Sequence, residues 1–162
     1  MLPLTPCSLQ TSDDFPHGQP GPQWQWQANP QDGWLTPYQQ GQGLQLCCAP
    51  TSSDISLYRL PQLLLQKFPA ERFTVNTALR PLFSQEGDEA GIAIYGQRFA
   101  GLCLSRRDSK IKLSLRHGWI DDRGETHQES IALLDVTVIN AIELGFRVGL
   151  VTVWSISTTV CR

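Results

Sequence analysis

Acid–base catalysis by carboxyl groups needs two of them in unlike surroundings, so that one keeps its proton while the other loses it. Three clusters offer the residue types: Asp13-Asp14, Glu86/Asp88/Glu89 and Asp121-Asp122. Each lies close to Gly, Ser or Pro, as turn residues do, and turn carboxylates cap backbone donors and solvate loops. Nothing in their spacing separates two pKa values, so no catalytic residue is assigned. His17, His117 and His127 are scattered without the spacing of a ligand set. Cys47 and Cys48 are adjacent in an apolar run and would face opposite sides of a strand, a poor arrangement for ligating one metal. No CxxC occurs in the sequence, and neither a metal nor a cofactor site is expected. Ser105-Arg106-Arg107-Asp108 reads as a strand end and turn rather than an oxyanion or phosphate site.

Aromatic residues carry a different chemistry. Trp24 and Trp26 share one face of a strand by period two, and Trp34, Tyr38 and Trp119 follow. Sugar rings stack on exposed aromatic faces through their C–H surface, which makes Trp24, Trp34 and Trp119 the candidate carbohydrate contacts. Two Trp on one face of a sandwich strand fill a core more often than they form a platform. No basic residues interleave with them as single-stranded nucleic acid would require.

Strands must position these residues, because helical periodicity is thin. Short apolar stretches are cut by Gly, Pro, Asn and Asp every ten residues or so. The expected strands are Trp24–Ala28, Gly43–Ala49, Leu63–Phe68, Phe73–Leu79, Ala90–Tyr95, Phe99–Arg106, Ile111–Arg116 and Thr126–Leu134. Leu63–Phe68 and Phe73–Leu79 are expected to pair as a hairpin across Pro69-Ala70-Glu71-Arg72. This punctuation predicts an all-β fold, an antiparallel sandwich of two sheets with an apolar layer between them.

The 162 residues suffice for one domain without disulfide staples. A formal charge of −2, with 13 basic against 15 acidic side chains, argues against nucleic acid or an anionic membrane as partner. No apolar run approaches the ~20 residues of a membrane span. The start, MLPLTPCSLQ, has neither a basic leader nor an apolar signal segment. With an odd count of five cysteines, these features give the cytoplasm as the expected compartment.

Asp13-Asp14-Phe15, Trp24-Gln25-Trp26-Gln27-Ala28-Asn29-Pro30, Gly43-Leu44-Gln45-Leu46, Leu64-Leu65-Gln66-Lys67-Phe68-Pro69 with Phe73-Thr74-Val75, and Glu89-Ala90-Gly91-Ile92 stand in uninterrupted order from about Ser12 to about Val138. Together they resemble the C-terminal concanavalin A-like β-sandwich of family 43 glycoside hydrolases, the β-xylosidases and α-L-arabinofuranosidases. The resemblance implies a jelly-roll sandwich appended to a five-bladed propeller, and it is the propeller that carries the family's inverting acid and base. Inversion needs two carboxyls roughly 6.5–9.5 Å apart with a water between them. This chain is too short to hold a propeller.

The expected organisation is a linker remnant over 1–11, the sandwich over 12–138 and a divergent tail over 139–162. After Val138 the family would continue with a V-Y-L-R-V strand, a strand ending in Y-S and a Gly-rich closing segment. Here Ile139-Asn140-Ala141-Ile142-Glu143-Leu144-Gly145-Phe146 follows instead. Codons read from their third base let Ser155–Arg162 encode H-F-D-Y-S-L-S, so a frame change near Val136 to Ile139 is expected. The competing reading takes Phe146–Trp154, rich in β-branched residues, as a genuine strand.

The leading expectation is a non-catalytic accessory sandwich, a fragment whose partner is a family 43 propeller present in cis in the parent protein. The alternative is a stand-alone carbohydrate-binding module for xylo-oligosaccharides held on Trp24, Trp34 or Trp119.

Overall fold

The computed structural model describes residues 12–38, 43–48, 50–52, 55–137, 140–149 and 155–161, with 132–133 and 155–161 described by their backbone. The expected linker remnant, 1–11, lies outside the described residues. Along the chain run β1 (Trp24–Trp26), β2 (Leu35–Pro37), β3 (Leu44–Leu46), β4 (Leu63–Lys67), β5 (Phe73–Leu79), β6 (Glu89–Tyr95), β7 (Arg98–Arg107), β8 (Lys110–Ile120), β9 (Thr126–Val136), β10 (Ile142–Val148) and β11 (Ser155–Cys161). A 3-10 turn at Leu57–Arg59, capped by the Ser56 side chain, precedes β4.

Burial along each strand says where it belongs. Leu63 to Gln66 are all buried, as a strand covered on both faces must be. β4 accordingly lies inside a seven-stranded antiparallel sheet of order β1-β4-β11-β6-β7-β8-β9. β5 alternates half-buried and exposed along its whole length, the mark of one solvated face. It pairs with β10 in a two-stranded sheet, and β2 pairs with β3 in another. The expected β4–β5 hairpin is therefore corrected: β4 pairs with β1 and β11, β5 with β10. The chain therefore crosses between sheets at Pro69–Arg72 instead of turning back on β4. Phe68 and Phe73 pack their rings 4.9 Å apart at that crossing. Phe146–Trp154 begins inside β10, and 150–154 lies outside the described residues.

Ile92 and Ile94 of β6 and Leu104 of β7 meet Leu144 and Val148 of β10, with Phe73, Val75 and Leu79 of β5 beside them. Each such side chain contributes roughly 1.5–3 kcal/mol by leaving water. A satellite cluster on the opposite face of the large sheet buries Leu63 and Leu65 beneath Leu60, Ile55 and Leu57. The Tyr58 hydroxyl pins that covering by donating to the Gln97 carbonyl at 2.8 Å.

Asp108 and Ser109 join β7 to β8 with φ of 54° and 60°. Two residues at positive φ make the mirror-image turn that suits strand twist, and glycine fits its second position best. Ser109→Gly removes about 1 kcal/mol of left-handed strain but loosens the unfolded chain, for a net gain of about 0.5 kcal/mol. Gln62, 4% exposed, has neither amide nitrogen nor oxygen hydrogen-bonded. Gln62→Met keeps the length and removes the orphaned dipole, so the urea midpoint should rise by the equivalent of about 1–3 kcal/mol. An unchanged or lower midpoint would show that the amide is not a liability.

Candidate functional site

A cleft of about 1080 Å³ opens between the large sheet and the smaller ones, lined among others by Phe15, Trp24, Leu64, Gln66, Phe73 and Val75. Trp24 stands opposite Gln66 in the β1–β4 register. Its indole N–H donates to Asp13 Oδ2 at 3.1 Å. The same carboxylate accepts from the Phe15 and Gly21 backbone N–H groups and from Gln23 Nε2. Asp13 thus closes the loop leading into β1 and fixes the ring that walls the cleft.

The three candidate tryptophans do not converge. Trp34 is 8% exposed and meets Trp26 edge-on at 5.5 Å, a core position. Trp119, near the end of β8, stacks on His127 at 5.1 Å and lies nearly parallel to His117 at 5.8 Å. Trp24 alone of the three lines the cleft.

Two of the three histidines, His117 and His127, are gathered in space, while His17 stays exposed in the loop before β1. His117 precedes Trp119 by two residues on β8, and β9 sets His127 directly opposite Trp119. Each imidazole meets a carboxylate: His127 Nε2 lies 2.9 Å from Asp121 Oδ2, and His117 Nε2 lies 3.3 Å from Glu129. The His127 bond, followed by the Glu125 backbone N–H, holds the Asp121 carboxyl below its ordinary range. Asp121, Glu125 and His127 bring their ligand atoms within 4.8 Å of one another. Asp121 Oδ1 already accepts the Arg123 and Glu125 N–H groups of its own turn, which accounts for its place without an ion. The period-two spacing of His117 and Trp119, with the Asp121–Gly124 turn returning His127, is the sequence signal that finds this cluster.

Three further carboxylates of the expected clusters are committed to structure. Asp88, expected in an exposed turn, is 3% exposed and caps the Ser84 and Gln85 N–H groups at 2.9 Å. Glu86 accepts from the Asp108 N–H at the tip of the β7–β8 turn. Glu89 also departs from the exposed-turn expectation. It lies in β6 and is clasped by both terminal nitrogens of Arg116, at 2.5 and 2.7 Å, with Arg107 at 3.1 Å. That pair arises because β6, β7 and β8 are adjacent, a fact of pairing that local spacing does not carry. Burial pushes the neighbouring Cys103 thiol up to about 12, with the Glu89 charge adding to the rise.

A thiol so raised is a poor nucleophile at neutral pH. Asp13, Asp88 and Asp121 cap turns, and Glu89 binds two guanidinium groups.

Comparison with solved structures supports the same architecture. A bifunctional GH43-CE protein from Bacteroides eggerthii superposes with a TM-score of 0.74 at 13% identity, covering 92% of this chain and 23% of that one. A GH43 glycoside hydrolase, engineered to display both endo-xylanase and exo-arabinofuranosidase activity, superposes with a TM-score of 0.72 at 15% identity, covering 92% and 37%. This chain therefore spans less than two fifths of either, and at such identities the likeness is one of fold. No curated protein matches the sequence. The match to a family model runs from Ser12 past Val138 to Val148, the end of β10. With that match over most of its length, the chain belongs to the β-xylosidase C-terminal concanavalin A-like domain family of glycoside hydrolase family 43.

Proposed function

We propose that this chain is the non-catalytic accessory sandwich of a glycoside hydrolase acting on xylan oligosaccharides, and that it packs on a propeller catalytic domain and shapes its pocket. The observation that carries the reading is the family match over 12–148. Solved relatives in which the same fold is 23% and 37% of a longer GH43 chain support it. So do Leu82, Ile131 and Leu134, which stand 61%, 61% and 60% exposed, since large apolar side chains in water fit a surface that another domain covers. The proposal includes a cytoplasmic location, supported by the thiols of Cys47 and Cys103, neither of which forms a disulfide. A divergent tail retains its own test in the nucleotide sequence around Val136 to Ile139. A stop in the alternative frame ahead of further strands would overturn it.

A stand-alone carbohydrate-binding module is the second reading, favoured by the cleft beside Trp24. Of the candidate contacts it leaves Trp34 in the core and Trp119 against two imidazoles.

Assayed on p-nitrophenyl β-xyloside and α-L-arabinofuranoside, the purified chain should release no nitrophenol above the uncatalysed rate. Turnover abolished by replacing one of its carboxylates would sink the accessory reading. Calorimetric titration with xylohexaose separates the two readings. A cleft binder should lose at least about tenfold in affinity on Trp24→Ala, the stacking of one sugar ring being comparable to an aromatic contact, whereas a purely packing domain gives no heat of binding.

A further inference from the structure

The cleft beside Trp24 is bounded in two different ways. The large sheet lines it with alternate residues, Leu64 and Gln66 of β4 and Ala90 and Ile92 of β6, as a floor touched from one face does. β5 lines it with every residue from Phe73 to Leu79, and the chain around β3 does so over 43–48. Odd and even residues of a strand point to opposite faces, so a space that meets both lies along the strand's edge. Both edges are open: among the described residues, β5 pairs only with β10 and β3 only with β2. A Cβ placed on Gly145 of β10 would stand 2.8 Å from the Val75 carbonyl oxygen, so Val75 directs its backbone groups at β10. Thr74, Asn76 and Ala78, offset by one, direct theirs into the cleft.

The covering layer is thus two small sheets with a slot between them. At one end they are held by side-chain tips instead of strand pairing: Arg80, just past β5, donates to the hydroxyl of Tyr38, just past β2, at 2.8 Å. Spread along the seven residues of β5, about 24 Å of strand, the cleft's volume of about 1080 Å³ gives a cross-section of about 45 Å². One strand in a layer takes up about 48 Å², from roughly 4.8 Å between strands and 10 Å between layers. Both walls present backbone N–H and C=O groups on every second residue, a repeat of about 6.8 Å that another polypeptide backbone shares. The floor is largely apolar, while Thr74, Asn76 and Ala78 are exposed on the far side of β5. The occupant that matches walls and floor together is an extended strand of about seven residues, apolar at alternate positions.

We infer that this slot accepts an extended peptide strand from a partner polypeptide, which pairs by its backbone with β5 and β3 and joins the two small sheets into one covering layer. The inference rests on the open edges and not on the accessory reading, so the hydrolysis assay leaves it untouched; it takes the cleft away from the carbohydrate reading. Random heptapeptides displayed on phage are panned against the full chain. The recovered peptides are synthesised and titrated while the chain's backbone amides are followed by hydrogen exchange. Their sequences should alternate apolar and polar residues, and saturating peptide should slow exchange at the Thr74, Asn76 and Ala78 amides at least about tenfold, the effect of one added hydrogen bond each. N-methylation of the peptide in either alternating frame should weaken binding by at least about tenfold, and so should Ala78→Pro, which removes an N–H that β10 does not use. Ala78→Thr, which keeps that N–H, should bind as the unaltered chain does. Proline is tolerated on an edge strand where its missing N–H would face outward, and the unfolding midpoint checks that the variant is folded. Panning that recovers no binding peptide, or peptides whose affinity survives both N-methylation and Ala78→Pro, overturns the site. So does displacement of bound peptide by xylohexaose, which assigns the cleft to sugar, or protection of the same three amides by self-association at rising protein concentration, which assigns it to a second copy.

Discussion

The dry layer between Ile92, Ile94 and Leu104 on one side and Leu144 and Val148 on the other is the contact on which the architecture depends. A sheet apolar on one face has to bury that face against something. Here a seven-stranded sheet meets a two-stranded one, so the covering layer is much the narrower. Over β6 and β7 the cover is good, and Leu104 is fully buried. Toward β1 the layers part to form the cleft, and toward β9 Leu102, Ile111 and Leu113 stay half-buried while Leu134 is largely exposed. Cleft and exposed edge thus follow from one imbalance in strand number.

Polar groups hold the parts that the apolar layer does not reach. Asp13 gathers donors from the loop before β1, Asp88 caps the approach to β6, and Asp121 closes the β8–β9 turn. Glu89 behaves differently, because it bridges two guanidinium groups across three adjacent strands. Such a partly buried pair is retained where both charges are well hydrogen-bonded, and removing one partner would strand the other. These carboxylates define loop shape and strand neighbours, which explains why their sequence setting resembled catalytic clusters without the unlike environments that catalysis needs.

Local pattern was legible in the sequence; pairing across distance was not. Phe73–Leu79 alternates so cleanly that its strand limits follow from period two alone, and the Gly96-Gln97 and Asp121–Gly124 turns foretell the hairpins on either side. The β4–β5 hairpin failed because the short Pro69–Arg72 link looks the same whether it joins neighbours or crosses layers, and both edges of β4 are taken by β1 and β11, partners distant in sequence. Trp34 was legible as an aromatic near β1 but not as a core residue, since its contact with Trp26 of β1 comes from the bend just before β2, a strand of another sheet. The His117–Trp119–His127 stack depended on the β8–β9 register, in which a bulge between Leu115 and Arg116 shifts the pairing by one residue.

The bulge also bears on how the open edge of β9 behaves. A second chain adding to that edge must match face to face along its whole length, because side chains alternate with period two. On either side of the bulge, the residues of β9 that face inward change from odd to even numbers: His127 and Glu129 share a face with Trp119 and His117, while Leu134 and Val136 share it with Leu113 and Ile111. A two-fold pairing centred on Ile131 would set His127 of one copy against Asp135 of the other, an attractive match in charge. It fails in geometry, because the two side chains point to opposite faces. That register is therefore closed to self-association, and the exposed Ile131 and Leu134 are available for contacts made by packing against a face.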